Sequence, residues 1–206
     1  FGAKVLHPST ILPAVERDIP VRIVNSRRPD GEGTLILAEV ENASAGHGIT
    51  ALACKRDLSV VDITSSRMLM AYGFLRRLFE VFERFRTAVD VVTTSEVSVS
   101  VTVDDRRHLG SITDALSDFA DVAVESDMAL LCAVGDRLRT DTSIAPRVLR
   151  VLESVPLRMV SQAAARRNIT FVIREADVAT ALHRLHETFF APYPVSASVA
   201  GAEGCA

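Results

Sequence analysis

The sequence predicts an α+β chain built from two ferredoxin-like βαββαβ units packed together, with a short non-repeating region ahead of them. Two observations carry this. From Leu58 onward the apolar spacing switches between strand and helix period in the order strand, helix, strand, strand, helix, strand, and near Met128 the same order begins again. A unit of roughly 70 residues is marginal as an isolated fold, so two of them are expected to share packing within or between chains.

Residues 8–17 read as a short helix and residues 20–24 as a strand, followed by a loop whose Pro29, Gly31 and Gly33 signal turns. The small, polar stretch "LAEVENASAGHG" reads as a linker. In the first repeat "LSVVDITS" is a strand. "GFLRRLFEVFERFR" sets Phe74, Leu75, Leu78, Phe79, Phe82 and Phe85 at helical spacing, with arginines and glutamates on its other side. "AVDVVTT" and "EVSVSVTV" are two strands, residues 110–120 a helix, and "DVAVES" closes the unit. The second repeat runs "MALLCAVG", "IAPRVLRVLES", "PLRMVSQ", "NITFVIR" and the helix "EADVATALHRLHETFF", then lacks its sixth element. "GITALACK", ahead of the first repeat, is an extra strand without a place of its own and is expected to fill that vacancy.

A formal net charge of -3 points neither to a nucleic-acid partner nor to an acidic membrane surface. No apolar run reaches the ~20 residues of a spanning helix. Cys54, Cys132 and Cys205 are odd in number and far apart, which suits reduced thiols in a cytoplasmic protein. The chain opens at Phe1 inside a structured-looking run, as a piece of a longer polypeptide would.

The chemistry concentrates around "VDVVTTSEVSVSVTV", where carboxylates and hydroxyls crowd the turn between two valine-rich strands. The loop "SSRMLMAYGF" ends in a glycine at the head of a helix, where backbone can approach a ligand and free N–H groups favour a carboxylate. Brought beside Asp90 and Glu96, such a loop would form a pocket for a basic amino acid; the plain alternative is a solvated hairpin turn. His183 and His186, three apart on a helix, lack a third ligand pattern, so no metal site is expected. His7 before Pro8 reads as a loop-ordering residue, and His108 beside "DDRR" as part of a turn.

The stretches "FGAKVLHP", "RDIPVRIVNS…GTLI", "KRDLSVVDITS", "GFLRRLFEVFERF" and "VDVVTTSEVSVSV", in this order and across nearly the whole chain through Phe190, resemble the carboxy-terminal half of the aspartate kinases of the monofunctional, lysine-regulated type. The resemblance implies that residues 1–40 are the tail of an amino-acid-kinase catalytic domain of α/β class and residues 41–48 a linker. Residues 57–126 would be a first ACT domain, residues 49–55 with 127–190 a second, and residues 191–206 a tail or linker. The family uses ATP with magnesium to phosphorylate L-aspartate on the route to lysine, threonine and methionine. Its phosphate-binding segments do not occur in this sequence, so the piece is expected to be catalytically silent and to need no cofactor.

Carried over position by position, the resemblance implies an effector site of Met68, Gly73, Phe74, Leu75, Ala88, Val89, Asp90, Thr94, Ser95 and Glu96, and a trace of the nucleotide pocket at Lys4 and Val5. The apolar members would line the stem of L-lysine and the two acids would meet its ammonium groups. Ala71 and Ala88 depart from the serines of lysine-sensing relatives, a loss of up to ~1 kcal/mol each if those hydroxyls touched the ligand. The expected partners are L-lysine and a second copy, in a homodimer or larger homo-oligomer joined through the ACT domains. The alternatives are a sensor of another amino acid, such as threonine, and an oligomerisation module without a ligand.

Overall fold

The computed structural model describes residues 6, 8–37, 48–69, 72–135, 138, 140–162 and 167–190. The chain divides into Phe1–Gly48 and Ile49–Ala206. In the first unit, helix α1 (Pro8–Val15) precedes a small antiparallel pair, β1 (Val21–Ile23) and β2 (Thr34–Ile36). Sequence pattern alone does not reveal β2, because three residues after a glycine-rich loop carry too little periodicity. Gly33 at the hairpin has φ +65°, and a Cβ there would fall 2.2 Å from the carbonyl oxygen of Ile23, so only glycine fits.

The second unit orders its elements as β3 (Ile49–Thr64), α2 (Phe74–Arg84), β4 (Val92–Thr94), β5 (Ser98–Val103), α3 (Leu109–Ser117), β6 (Asp121–Gly135), α4 (Ile144–Val151), β7 (Met159–Ser161), β8 (Asn168–Arg174) and α5 (Val178–Phe189). Two expectations are corrected here. The stretches "GITALACK" and "LSVVDITS" are one 16-residue strand, and "DVAVES" and "MALLCAVG" are one 15-residue strand. The predicted pair of four-stranded sheets is therefore a single antiparallel sheet, β4-β5-β3-β6-β8-β7, through which β3 and β6 run end to end. The front of β3 (Ile49 to Lys55) pairs with the back of β6 (Leu130 to Gly135), and its rear (Val60 to Thr64) with the front of β6 (Asp121 to Glu125). Each ACT-like half thus takes a strand from both.

The junction has a local cause. Asp57 on β3 and Asp127 on β6 adopt φ +60° and +58°, and they flank the Leu58↔Met128 pair, where the register shifts. Aspartate tolerates the left-handed region better than most residues. The break in backbone direction turns the strand without ending it.

Alternation sorts the core into three clusters. Val61, Ile63, Val99, Val101 and Val103 face α2 and α3, with Leu78, Phe82, Ile112 and Leu116. Ala129, Leu131, Phe171 and Ile173 face α4 and α5, with Ile144, Val148, Val178 and Leu185. The third cluster draws Leu58 and Val60 together with Met128, Leu130, Cys132, Met159 and Val172, on the side of the sheet away from the helices. That side is dry too, which is why "MALLC" reads as an unbroken apolar run. Around it, polar groups strap one half to the other. Arg158 bonds Asp62 and, at 3.0 Å, Glu125, and the hydroxyls of Ser59 and Ser126 lie 3.4 Å apart.

Candidate functional site

At one end of the first half, β3 stops at Thr64 and Ser65 ties three segments together. Its N–H donates to the carbonyl of Val97 at 2.8 Å and its hydroxyl to the carbonyl of Phe119 at 3.2 Å. A 3-10 turn, Ser66–Met68, follows. Gly73 then opens α2 from the left-handed region, at φ +82°. Gly73 at the N-cap has no side chain with which to cap the helix, which leaves the first N–H groups of α2 to a ligand or to water. Phe74 meets Phe119 edge-on at 5.7 Å, and the Arg77 guanidinium lies over the same ring at 4.2 Å. Leu69, Tyr72, Leu75 and Phe79 are left exposed beside it.

The acid-bearing bend sits at this same end, next to Ser65. Its serine hydroxyls close the turn. The Ser95 N–H donates to the Ser98 carbonyl at 2.8 Å, and the two serine hydroxyls share a 2.6 Å hydrogen bond. Ser95 Oγ also accepts from the N–H of Ser98 at 3.1 Å. Thr94 and Glu96 are exposed on the outside of the turn. The structure therefore groups Met68, Gly73, Phe74, Leu75, Thr94, Ser95 and Glu96 at one end of the unit.

Asp90 is not with them. Its N–H donates to the carbonyl of Thr102 at 3.1 Å, and the N–H of Val91 to the Thr102 hydroxyl at 2.9 Å. Thr94, by contrast, stands opposite Val99. At ~3.3 Å per residue, Asp90 lies roughly 13 Å along the sheet from Thr94, at the end where α2 finishes. Ala88 is exposed and Val89 half-buried there. The predicted strand over residues 88–94 shrinks accordingly to Val92–Thr94, because Asp90 and Val91 both bond Thr102, whose carbonyl accepts from the Asp90 N–H and whose N–H donates to the Val91 carbonyl at 3.0 Å, so that two residues oppose one and regular pairing starts only at Val92. Lys4, Val5 and Ala71 lie outside the described residues.

Asp90 has a partner that sequence pattern does not single out. Lys55 Nζ stands 2.6 Å from Asp90 Oδ2 and 2.7 Å from Asp104 Oδ2, a cation between two carboxylates. Burial works against the Lys55 charge, but the hydrogen bonds to Asp104 and Asp90 outweigh it and hold the ammonium above its ordinary value. The Lys55 hydrogen bond in turn draws the Asp104 carboxyl down. Next to it, the Arg107 guanidinium grips Asp105 and pulls its carboxyl to about 2. No spacing rule links residue 55 to residues 90 and 104; only the shared β3 and its register bring them together.

His183 Nδ1 pairs with Glu187 at 3.3 Å on α5. Among the described residues no three metal-ligating side chains gather, and no helix is long and apolar enough to cross a membrane. Burial raises the Cys54 thiol above its ordinary value.

Strands and helices in the order βαββαβ, with paired helices on one face of the sheet, are the architecture of an ACT domain, and the ACT-domain family model matches residues 131–189, in the second half. The chain belongs to the aspartokinase family, as its regulatory region. It is 37% identical to a structure described as a C-terminal regulatory domain of aspartate kinase from Porphyromonas gingivalis, covering 68% of this chain and 96% of that one, with a TM-score of 0.62. It is 36% identical over 198 residues to lysine-sensitive aspartokinase 3 of Escherichia coli, covering 92% of this chain and 43% of the relative. Structures of the E. coli enzyme with lysine and aspartate (T-state) and with aspartate and ADP (R-state) give TM-scores of 0.79 and 0.78, at 35% and 36% identity. They cover 91% and 92% of this chain and 42% and 44% of theirs. The chain thus spans under half the length of these full-length relatives.

Proposed function

We propose that this chain is the effector-sensing part of an ATP-dependent aspartate kinase, and that it binds L-lysine at the first ACT half, between two copies of the chain. The single observation that carries the two-copy reading is the separation of the site residues. The head of α2 and Glu96 occupy one end of the unit, Asp90 the other, so one copy offers two half-sites rather than a pocket. A two-fold axis sets the two ends of a self-complementary surface against each other. The start of α2 would then receive the carboxylate, Met68, Phe74 and Leu75 the aliphatic stem, and Glu96 of one copy with Asp90 of the other the two ammonium groups. The sequence likeness to an enzyme whose name and structure include lysine supports that effector over others.

Binding would bias the parent enzyme between two arrangements, as any ligand does that prefers one of them. Phosphoryl transfer belongs to the rest of the parent protein, and this chain by itself is a sensor. Isothermal titration with L-lysine, L-threonine and L-methionine tests the reading. Saturable heat with L-lysine and weaker or no heat with the others is expected. Silence from all three at millimolar concentration, from a chain that still sediments as a dimer, turns the assignment to a ligand-free assembly module, which the exposed Leu69, Tyr72, Leu75 and Phe79 would also serve.

A further inference from the structure

We propose that Lys55 is a resident competitor for the effector, whose ammonium must displace that of Lys55 from Asp90. This rests on the reading of the site given above. Lys55 stands on the front of β3, in the half of the sheet covered by α4 and α5, whereas Asp90 and Asp104 flank β5 in the other half. Its Nζ sits 2.6 Å from one carboxylate and 2.7 Å from the other. Two carboxylates around one ammonium leave a negative charge uncompensated. The two nearby guanidiniums are spent elsewhere, Arg106 on Asp57 at 2.7 Å and Arg107 on Asp105 at 2.5 Å. Among the described residues Lys55 is the one cation paired with Asp90 and Asp104.

The arrangement makes the exchange inexpensive. An arriving ammonium at Asp90 does not strand Lys55, because Asp104 keeps it. One half-exposed ion pair is traded for another of similar worth. Lys55 is also tethered, so it competes at high effective concentration and holds the site's affinity below what the same carboxylate would give if unpaired. Because the lysine and Asp90 belong to different halves, the swap undoes one strap between them, and so the second half registers occupancy of the first.

The test is a set of titrations of the whole 206-residue chain with L-lysine at low salt, each variant first checked for cooperative thermal unfolding. Lys55→Met keeps the stem and removes the charge, while Lys55→Arg keeps the charge. The Met variant should bind about three- to fivefold tighter, the worth of an exposed ion pair. The Arg variant should stay close to the parent. In an Asp90→Asn background, Lys55→Met should change nothing, since the carboxylate in contention is gone. A Met variant that binds as the parent does, or more weakly, overturns the competitor and leaves the proposed function standing; weaker binding would make Lys55 a positioning residue for Asp90. No binding by parent or variant overturns the proposed function, and the competitor with it.

Discussion

Lys55 and Asp104 hold each other's charge, and each side of that pair titrates in its own window. Asp104 has its folded pKa below the ordinary 3.8, so its contribution is complete above that value and fades as pH falls through the lower folded one. Lys55 has its folded pKa above the ordinary 10.5, so its contribution is complete below that value and fades as pH rises through the higher folded one. Both side chains are about two-fifths exposed, so screening keeps the pair worth about 1 kcal/mol or less. Urea unfolding of the parent and of Lys55→Met should differ by about 0.5–1 kcal/mol at pH 7, and the gap should close toward pH 2. A gap that persists undiminished in acid would mean that the lysine stem, not its charge, carries the effect. At this scale the sequence was legible for the bend and opaque for the strap. "TTSE" announces a polar turn by composition, and Ser95 does close it, whereas a contact between residues 55 and 90 follows from register that no local pattern encodes.

The order of helices and strands could be read because each repeat alternates two clear periods, and α2 with its phenylalanines is the plainest case. What misled was the pair of aspartates. The strand readings break at "KRDLS" and "ESDMA", yet β3 and β6 continue through them, with Asp57 and Asp127 absorbing the bend in left-handed backbone. Tertiary pairing on both sides of the Leu58↔Met128 step outweighs a local preference of about 1–2 kcal/mol. Asp127 therefore gives a clean test, since Asp57 is also held by Arg106. Asp127→Gly should leave stability within about 0.5 kcal/mol of the parent or raise it, and Asp127→Val should cost about 1–2 kcal/mol, because a β-branched side chain resists φ near +60°. Urea midpoints at constant m-value measure both. Equal losses for glycine and valine would show that the carboxylate, rather than the backbone conformation, matters at the junction.

For the whole molecule, candidate residues could be named from the sequence, but where the fold carries each of them could not be read there. The sequence could place Asp90 and Glu96 in one stretch; it could not say that the outer strand carries them to opposite ends of the unit. That separation makes a prediction which a one-chain pocket cannot share. If L-lysine binds between two copies, each site takes Glu96 from one and Asp90 from the other. Asp90→Asn and Glu96→Gln chains should each lose about tenfold or more in affinity, the worth of a hydrogen bond to a charged group. Coexpressed, they form mixed dimers in which one site carries both lesions and the other carries neither. With random pairing half the dimers are mixed, so about a quarter of all sites should bind L-lysine as the parent does. A titration of the coexpressed protein would show this as a small tight phase ahead of the weak one, absent when the two variants are purified apart and not allowed to exchange. If coexpression yields only the weak phase although mixed dimers are demonstrated by differential tagging, both acids serve a site within one chain, and the two-fold arrangement falls.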